Sequence, residues 1–220
     1  MRCQSEKYAI QALMQTGPEY HAIPTPFFAE ILNLSVDAPT NLHLFNTNKA
    51  MQTLLATHLI KSGSLKKIAP HTLMIEYSCR KAVAICGNYE RTYVDLEGIF
   101  FPHFPFQSAQ NLPTIWLEET AASSWGERMD EGAMLHMNKI LSLFPSETIE
   151  AIDLTRIHSP SAGRREIIIK LKNSRLIRLT PKNYVQELDN YFILEKELVR
   201  HGLSPTQIDL RTKGVAYLSE

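Results

Sequence analysis

The chain is predicted to fold as α+β, a β-α-α-β-β unit followed by a mixed β-sheet domain with flanking helices. Apolar residues recur with period two in several short stretches and at three- and four-residue spacing in others. The first segments run strand, helix, helix, strands, without the strict alternation that builds a parallel α/β sheet. Pro102, Pro105 and Pro113, with polar residues between them, separate two stretches that are each long enough to bury a core.

In the first stretch, residues 8–16 roughly alternate apolar and polar and stop at Gly17-Pro18, which predicts an opening strand. Thr25-Pro26 reads as a helix start, with a hydroxyl cap and a proline in the first turn. Phe27, Phe28, Ile31 and Leu32 give that helix an apolar face. Asn46 or Thr47 opens a second helix, in which Ala50, Met51, Leu54, Leu55 and His58 share a side. Strands follow at 64–68, 72–77 and 82–86, with a turn at Gly87-Asn88. Residues 92–100 form a tight hairpin, where Gly98 supplies the positive φ.

In the second stretch, 114–117 is a short strand and 127–143 an amphipathic helix stopped by Pro145. A strand runs over 150–157. Residues 166–171 and 175–179 flank Lys172-Asn173-Ser174 as a hairpin. Tyr184 to His201 is a helix capped by Gly202. The stretch from Ser204 reads as a closing strand.

Apolar residues make up 44% of the chain and 23 basic residues balance 23 acidic ones, which excludes a disordered composition and a general basic field. Arg164, Arg165, Lys170, Lys172, Arg175 and Arg178 alternate with apolar residues, as on the solvated face of a hairpin. No nucleic-acid partner is expected. Cys3, Cys79 and Cys86 are too few for a disulfide scaffold. A Cys79–Cys86 bridge is conceivable across neighbouring strands, and two small buried thiols are the preferred reading. No apolar run is long enough to span a membrane, and no signal peptide is visible.

Catalytic and metal chemistry find little support. His21, His43, His58, His71, His103, His136, His158 and His201 are scattered, without a His-x-x-x-His pair or a carboxylate at ligand spacing. Met134-Leu135-His136-Met137, with Met129, could be imagined as a soft copper site, but methionines at helical spacing fill cores. No nucleophile elbow, phosphate loop or dinucleotide fingerprint occurs. Ser123-Ser124-Trp125-Gly126 reads as a loop and helix start. Glu118-Glu119 and Glu147/Glu150 are paired only in sequence. The expectation is a protein without enzymatic activity, cofactor or metal.

A binding role is more specific. A terminal strand has a good chance of lying at a sheet edge, where its backbone can receive a strand from another protein. The candidate residues are Ile208, Asp209, Leu210, Arg211, Thr212, Lys213, Gly214, Val215, Ala216, Tyr217 and Leu218. Period two puts Ile208, Leu210 and Thr212 on one face and Asp209, Arg211 and Lys213 on the other. A bulge or turn at Gly214 would reset that alternation. Arg211 is a candidate for a contact with a partner acid. The alternative is that Arg211 pairs internally and the strand merely completes the sheet.

The order of elements, with several local patterns, resembles the bacterial cell-division family FtsQ/DivIB. The matching stretches are Ile10-x-Ala12-Leu13 leading to Gly17, Leu42-x-Leu44, and Ser64 to Ile75. Arg80-Lys81-Ala82-Val83-Ala84 and Val94 to Phe100 follow. Ile168 to Leu179, Ile208-Asp209-Leu210-Arg211 and Gly214-Val215-Ala216 complete the match. Cys79-Arg80-Lys81-Ala82 stands where the family often has Glu-Arg-x-Pro. The resemblance implies a POTRA-like domain over 8–101 and an FtsQ-type β domain over 114–220. It implies a non-catalytic divisome scaffold that binds the FtsB/FtsL pair through its C-terminal strand and supports septum formation. It also implies a single-pass inner-membrane protein with these residues outside the cytoplasm, anchored by a helix before Met1. The alternative function is a POTRA-type polypeptide-binding component of a transport or secretion system.

Overall fold

The computed structural model describes residues 6–17, 22–35, 37–103, 111–118, 124–145 and 147–219. Cys3, His21, Pro105, Glu119 and Ser123 lie outside them. Among the described residues there are four α-helices and two mixed sheets, an α+β fold. The chain divides into two compact units, 1–81 with 101–108 and 82–100 with 109–220.

The first unit runs β1 (Ala12–Thr16), α1 (Thr25–Ile31), α2 (Thr47–Leu55), β2 (Ile60–Ile68) and β3 (Thr72–Cys79). Its sheet order is β1-β3-β2, with β1 parallel and β2 antiparallel to β3. Asn46 caps α2 by accepting the Lys49 N–H at 3.0 Å. The expected hydroxyl cap of α1 is not made, because the Thr25 Oγ1 accepts Gln15 Nε2 at 2.8 Å instead. β1 begins later than alternation predicts, since Ala9 makes only an isolated bridge to Asn41. β2 begins earlier, because pairing with β3 carries the polar run Lys61-Ser62-Gly63-Ser64 into the ladder. Ile23, Phe28, Leu42, Leu54, Leu73 and Ile75 are buried as the core. Tyr77 ties the unit together, its hydroxyl accepting the Ile23 N–H at 2.9 Å and donating to Gln15 at 3.1 Å.

The second unit contains β4 (Ala84–Cys86), β5 (Thr92–Val94), the first residue of β6 (Phe100–Pro102), β7 (Thr114–Trp116) and α3 (Glu131–Leu143). There follow β8 (Ile149–Asp153), β9 (Ile167–Leu171), β10 (Leu176–Leu179), α4 (Tyr184–Arg200), β11 (Gln207–Thr212) and β12 (Val215–Ser219). The nine-stranded sheet has the order β12-β11-β10-β9-β8-β7-β4-β5-β6. The units divide at 81/82 and 100/101, so β4 and β5, which the expected boundary near 101–113 left with the first stretch, lie in the second unit. The cause is the parallel pairing of β4 with β7 at Ile85–Thr114 and Cys86–Ile115, a long-range match that no local pattern announces. Cys79 and Cys86 are free thiols in different units, and burial pushes the Cys79 thiol up to about 11.

α3 starts at Glu131 because Asp130 caps it, accepting the Ala133 N–H at 2.9 Å. β8 stops at Asp153, whose Oδ1 accepts the backbone N–H of Thr155 at 2.9 Å and turns the chain away. Ala133, Met137 and Ile140 of α3 and Leu188, Tyr191 and Leu198 of α4 share one core with the inward rows of the sheet. Met129, Met134 and Met137 are therefore core residues, while Leu135 between them faces outward at 56% exposure.

Gly98 turns the β5–β6 hairpin at φ 76°, with Met129 Cγ 2.8 Å and Met134 Cγ 3.1 Å from where a Cβ would stand. Gly214 has φ 75° and open space around it. Gly214→Ala should cost about 1 kcal/mol, the left-handed penalty alone. Gly98→Ala adds overpacking and should cost about 2–4 kcal/mol in urea unfolding. Equal losses would show that the Met129 and Met134 contacts give way freely.

Candidate functional site

The stretch from 207 to 219 is two strands, not one. Lys213-Gly214 turns the chain back, and β12 pairs antiparallel with β11 through Ile208–Leu218 and Asp209–Tyr217. The register shifts between Asp209 and Thr212, so the alternation is reset near the turn. β11 is internal, held on its other side by β10. β12 is the end strand. The predicted site residues thus divide: Ile208 and Leu210 are buried in the core, whereas Val215, Ala216, Tyr217 and Leu218 form the sheet's last strand.

Of the other three sheet ends, β6 and β2 carry features that discourage pairing, whereas β1 has no proline, glycine or charge and leaves Met14 54% exposed. β6 ends on Pro102, which has no N–H. β2 carries Lys61, Lys66 and Lys67 and a register shift at Ile60/Ser62. β12 has no proline, glycine or charged residue, and Val215, Tyr217 and Leu218 are 48%, 58% and 44% exposed. An apolar end strand of that kind is a template for another strand.

Each side of β12 offers a different chemistry. On the helix side, a groove of about 680 Å³ lies between α4 and the hairpin. Gln186, Asn190, Ile193, Leu194 and Glu197 line it from α4, and Val215 and Ala216 from β12. Ile193 is 65% exposed, an apolar residue where the helix pattern calls for a polar one. That was the legible signal for the groove, and sequence reasoning missed it.

The opposite face carries an in-register row across six strands: Trp116, Asp153, Ile168, Arg178, Asp209 and Tyr217. Beside it, Glu166 is buried to 2% exposure among three arginines. Arg156 donates to it at 2.9 Å, Arg178 Nε at 3.0 Å, and Arg211 Nη1 stands at 3.2 Å. Arg211 also grips Asp209, from Nε to Oδ1 at 2.9 Å and from Nη2 to Oδ2 at 2.7 Å. Arg211 is therefore paired internally in this structure. Arg175 steadies the start of β11, donating to the Pro205 carbonyl at 3.2 Å while pairing with Glu195.

Burial opposes ionisation of Asp209, but hydrogen bonds from the Arg211 side chain and backbone, with the charges of Arg211 and Arg178, outweigh it. The carboxyl is held below the usual carboxylate range. Hydrogen bonding to Asp209 in turn favours the charged form of Arg211.

Elsewhere His158 and His136 serve local structure, and His201 stands 4.0 Å from Glu197 one turn earlier on α4, a carboxylate at the spacing the sequence was read as lacking. His158 Nε2 meets the Asp130 carboxylate at 3.0 Å, and His136 Nε2 faces the Pro181 carbonyl at 3.0 Å. Among the described residues, no group of three or more His, Cys, Asp or Glu stands positioned to hold a metal ion. Among them also, no helix is long and apolar enough to cross a membrane.

Two measurements check the charge cluster. Glu166→Gln removes the buried acceptor that three arginines share, leaving Arg178 and Arg211 with Asp209 alone, and should destabilise by about 3 kcal/mol, whereas Glu150→Gln, which frees only the exposed Lys170, should cost under about 1 kcal/mol. Because the folded-state value of Asp209 is depressed, its contribution is complete above its unfolded value near 3.8 and is lost as pH falls through the lower folded value. Asp209→Asn should flatten the acid limb of the stability–pH curve below about pH 4, and an unchanged limb would contradict the assignment. No protein-family model and no curated protein matches the chain.

Proposed function

We propose that this chain is a non-catalytic cell-division scaffold of the FtsQ/DivIB kind, which binds an FtsB/FtsL-like pair and supports septum formation. The observation that carries the reading is the unguarded end strand β12. A partner segment added there would gain main-chain hydrogen bonds along β12, each worth about 1 kcal/mol net. Its alternate side chains would face the α4 groove on one side and the Arg211 side of the sheet on the other. Apolar residues suit the first and an acid the second.

The first unit supports the reading as well. Its β-α-α-β-β order is consistent with a POTRA-like domain and supports that reading. In this proposal it supplies localisation contacts. In the same proposal the chain acts on the extracytoplasmic side of the inner membrane.

Proline scanning of β12 tests the docking edge. Along an edge strand, alternate N–H groups point outward, so of Ala216→Pro and Tyr217→Pro one removes an outward donor and the other a hairpin bond. Val215→Pro and Leu218→Pro extend the pattern. Pull-down of the chain's own FtsB/FtsL-like proteins should be lost in the outward-facing variants, with near-ultraviolet circular dichroism unchanged. Undiminished capture by every folded variant would sink the strand-addition reading.

A further inference from the structure

We propose that the carboxyl ends of β4, β7 and β8 form a saccharide-binding platform, on which the Trp116 indole stacks a flat pyranose ring and Asp153 accepts its hydroxyls. The platform is separate from the docking edge. β7 stands five strand spacings from β12, about 24 Å, and nothing in the proposal depends on a strand added there.

The topology brings the parts together. β4, β7 and β8 run parallel, so their carboxyl ends lie side by side at one end of the sheet. In open sheets, ligands sit beyond the carboxyl ends of parallel strands, where side chains from several strands converge. Here those ends deliver the Gly87-Asn88 turn from β4, Trp116 from β7, and Asp153 with Thr155 and Arg156 from β8.

Three features carry the proposal. The first is a seated ring with a free face. The indole lies over Gly87, its Cδ2 and Cε2 both 2.7 Å from where a Cβ would stand, so any other residue there would lift it. Trp116 is nonetheless 43% exposed, which leaves the face turned away from Gly87 to solvent. Among the described residues its side chain makes no hydrogen bond and no ring contact, whereas the chain's other tryptophan, Trp125, donates from Nε1 to Thr92 at 3.2 Å. The second is rigidity. Asn88 clasps the next residue, Leu117, its Nδ2 donating to the carbonyl at 2.9 Å and its Oδ1 accepting the N–H at 2.8 Å. The strand end that carries the indole is thus fixed before a ligand arrives, which lowers the cost of binding. The third is the acid beside the ring. Asp153 is the in-register neighbour of Trp116 on β8. Its Oδ1 accepts the Thr155 N–H at 2.9 Å and hydroxyl at 2.6 Å, while among the described residues its Oδ2 has no partner.

A pyranose with equatorial hydroxyls has an apolar C–H face and a polar rim. The face suits the open side of the indole. The rim meets the free Asp153 Oδ2 as acceptor and the free indole Nε1–H as donor. A cation fits less well. Arg91 immediately precedes β5, the strand paired with β4, and Arg156 follows Asp153 by three residues with its side chain 62% exposed. Positive charge already flanks the ring, and like charges repel.

The test uses the full chain carrying Trp125→Phe, in which Trp116 is the one remaining tryptophan. Cellotriose and chitotriose, two flat β-1,4-linked trisaccharides, are titrated against its fluorescence. At least one should shift the emission to the blue saturably, with a dissociation constant on the order of 1 mM. Asp153→Asn keeps the acceptor for Thr155 and should weaken that sugar roughly three- to tenfold. In the otherwise native chain, Trp116→Ala should abolish saturation transfer from protein to sugar protons, with the unfolding temperature little changed. No saturable shift with either sugar at concentrations on the order of 10 mM overturns the proposal. So does saturation transfer that survives Trp116→Ala, or tighter binding of tetramethylammonium than of either sugar. Unchanged affinity in Asp153→Asn overturns the role given to its Oδ2. Should Trp116→Ala fail to fold, the fluorescence titration decides alone, because it leaves Trp116 in place.

Discussion

A nine-stranded sheet that does not close on itself must end somewhere, and its end strands carry backbone N–H and C=O groups that no neighbouring strand satisfies. Chain order decides which strand takes that position. β10 and β11 are parallel, so a crossover must join them, and α4 supplies it. The short turn at Gly214 then lays β12 on the outer side of β11. The chain's final strand lands at the sheet end because of the crossover before it.

The same architecture makes the two faces unequal. α3 and α4 share their apolar residues with the inward rows of the sheet, from Ile149 and Ile152 through Ile167 and Ile169 to Ile208 and Leu210. The outward rows mix Trp116, Ile168 and Tyr217 with charged side chains, among which Glu166 is the focus. Its carboxylate joins arginines from β10, from β11 and from the loop after β8, so one buried acid ties three neighbouring segments. Such a cluster adds little over an apolar equivalent but penalises any arrangement that separates its members. It therefore fixes where β11 lies, and through β11 where β12 presents its edge.

Much of this was readable along the chain, and the parts that were not share a cause. Asn46 and the period of Ala50, Met51 and Leu54 mark α2 because caps and helical spacing are local. The hairpin around Asn173 is local too. The pairing of Ile85 with Thr114 is not, and neither is the meeting of Arg156, Glu166, Arg178 and Arg211. For the candidate site, the sequence marked Gly214 as the place where the alternation could be reset, and the chain turns there. It could not separate Ile208 and Leu210, which the core claims, from Val215 and Tyr217, which remain exposed. Both sets carry the same alternation, and burial depends on which strand lies on the far side.

By itself, then, the sequence determined the kinds of element, most of their order and turns, and an apolar alternating stretch near residue 214. Those properties follow from backbone preferences and periodicity within a few residues. Tertiary structure alone decided that β4, β5 and β6 join the larger sheet, that Arg211 is held by Asp209 and Glu166, and that β12 is the strand left with an open side. Each of these depends on contacts between residues distant in sequence, whose energy is set by what the rest of the fold brings alongside.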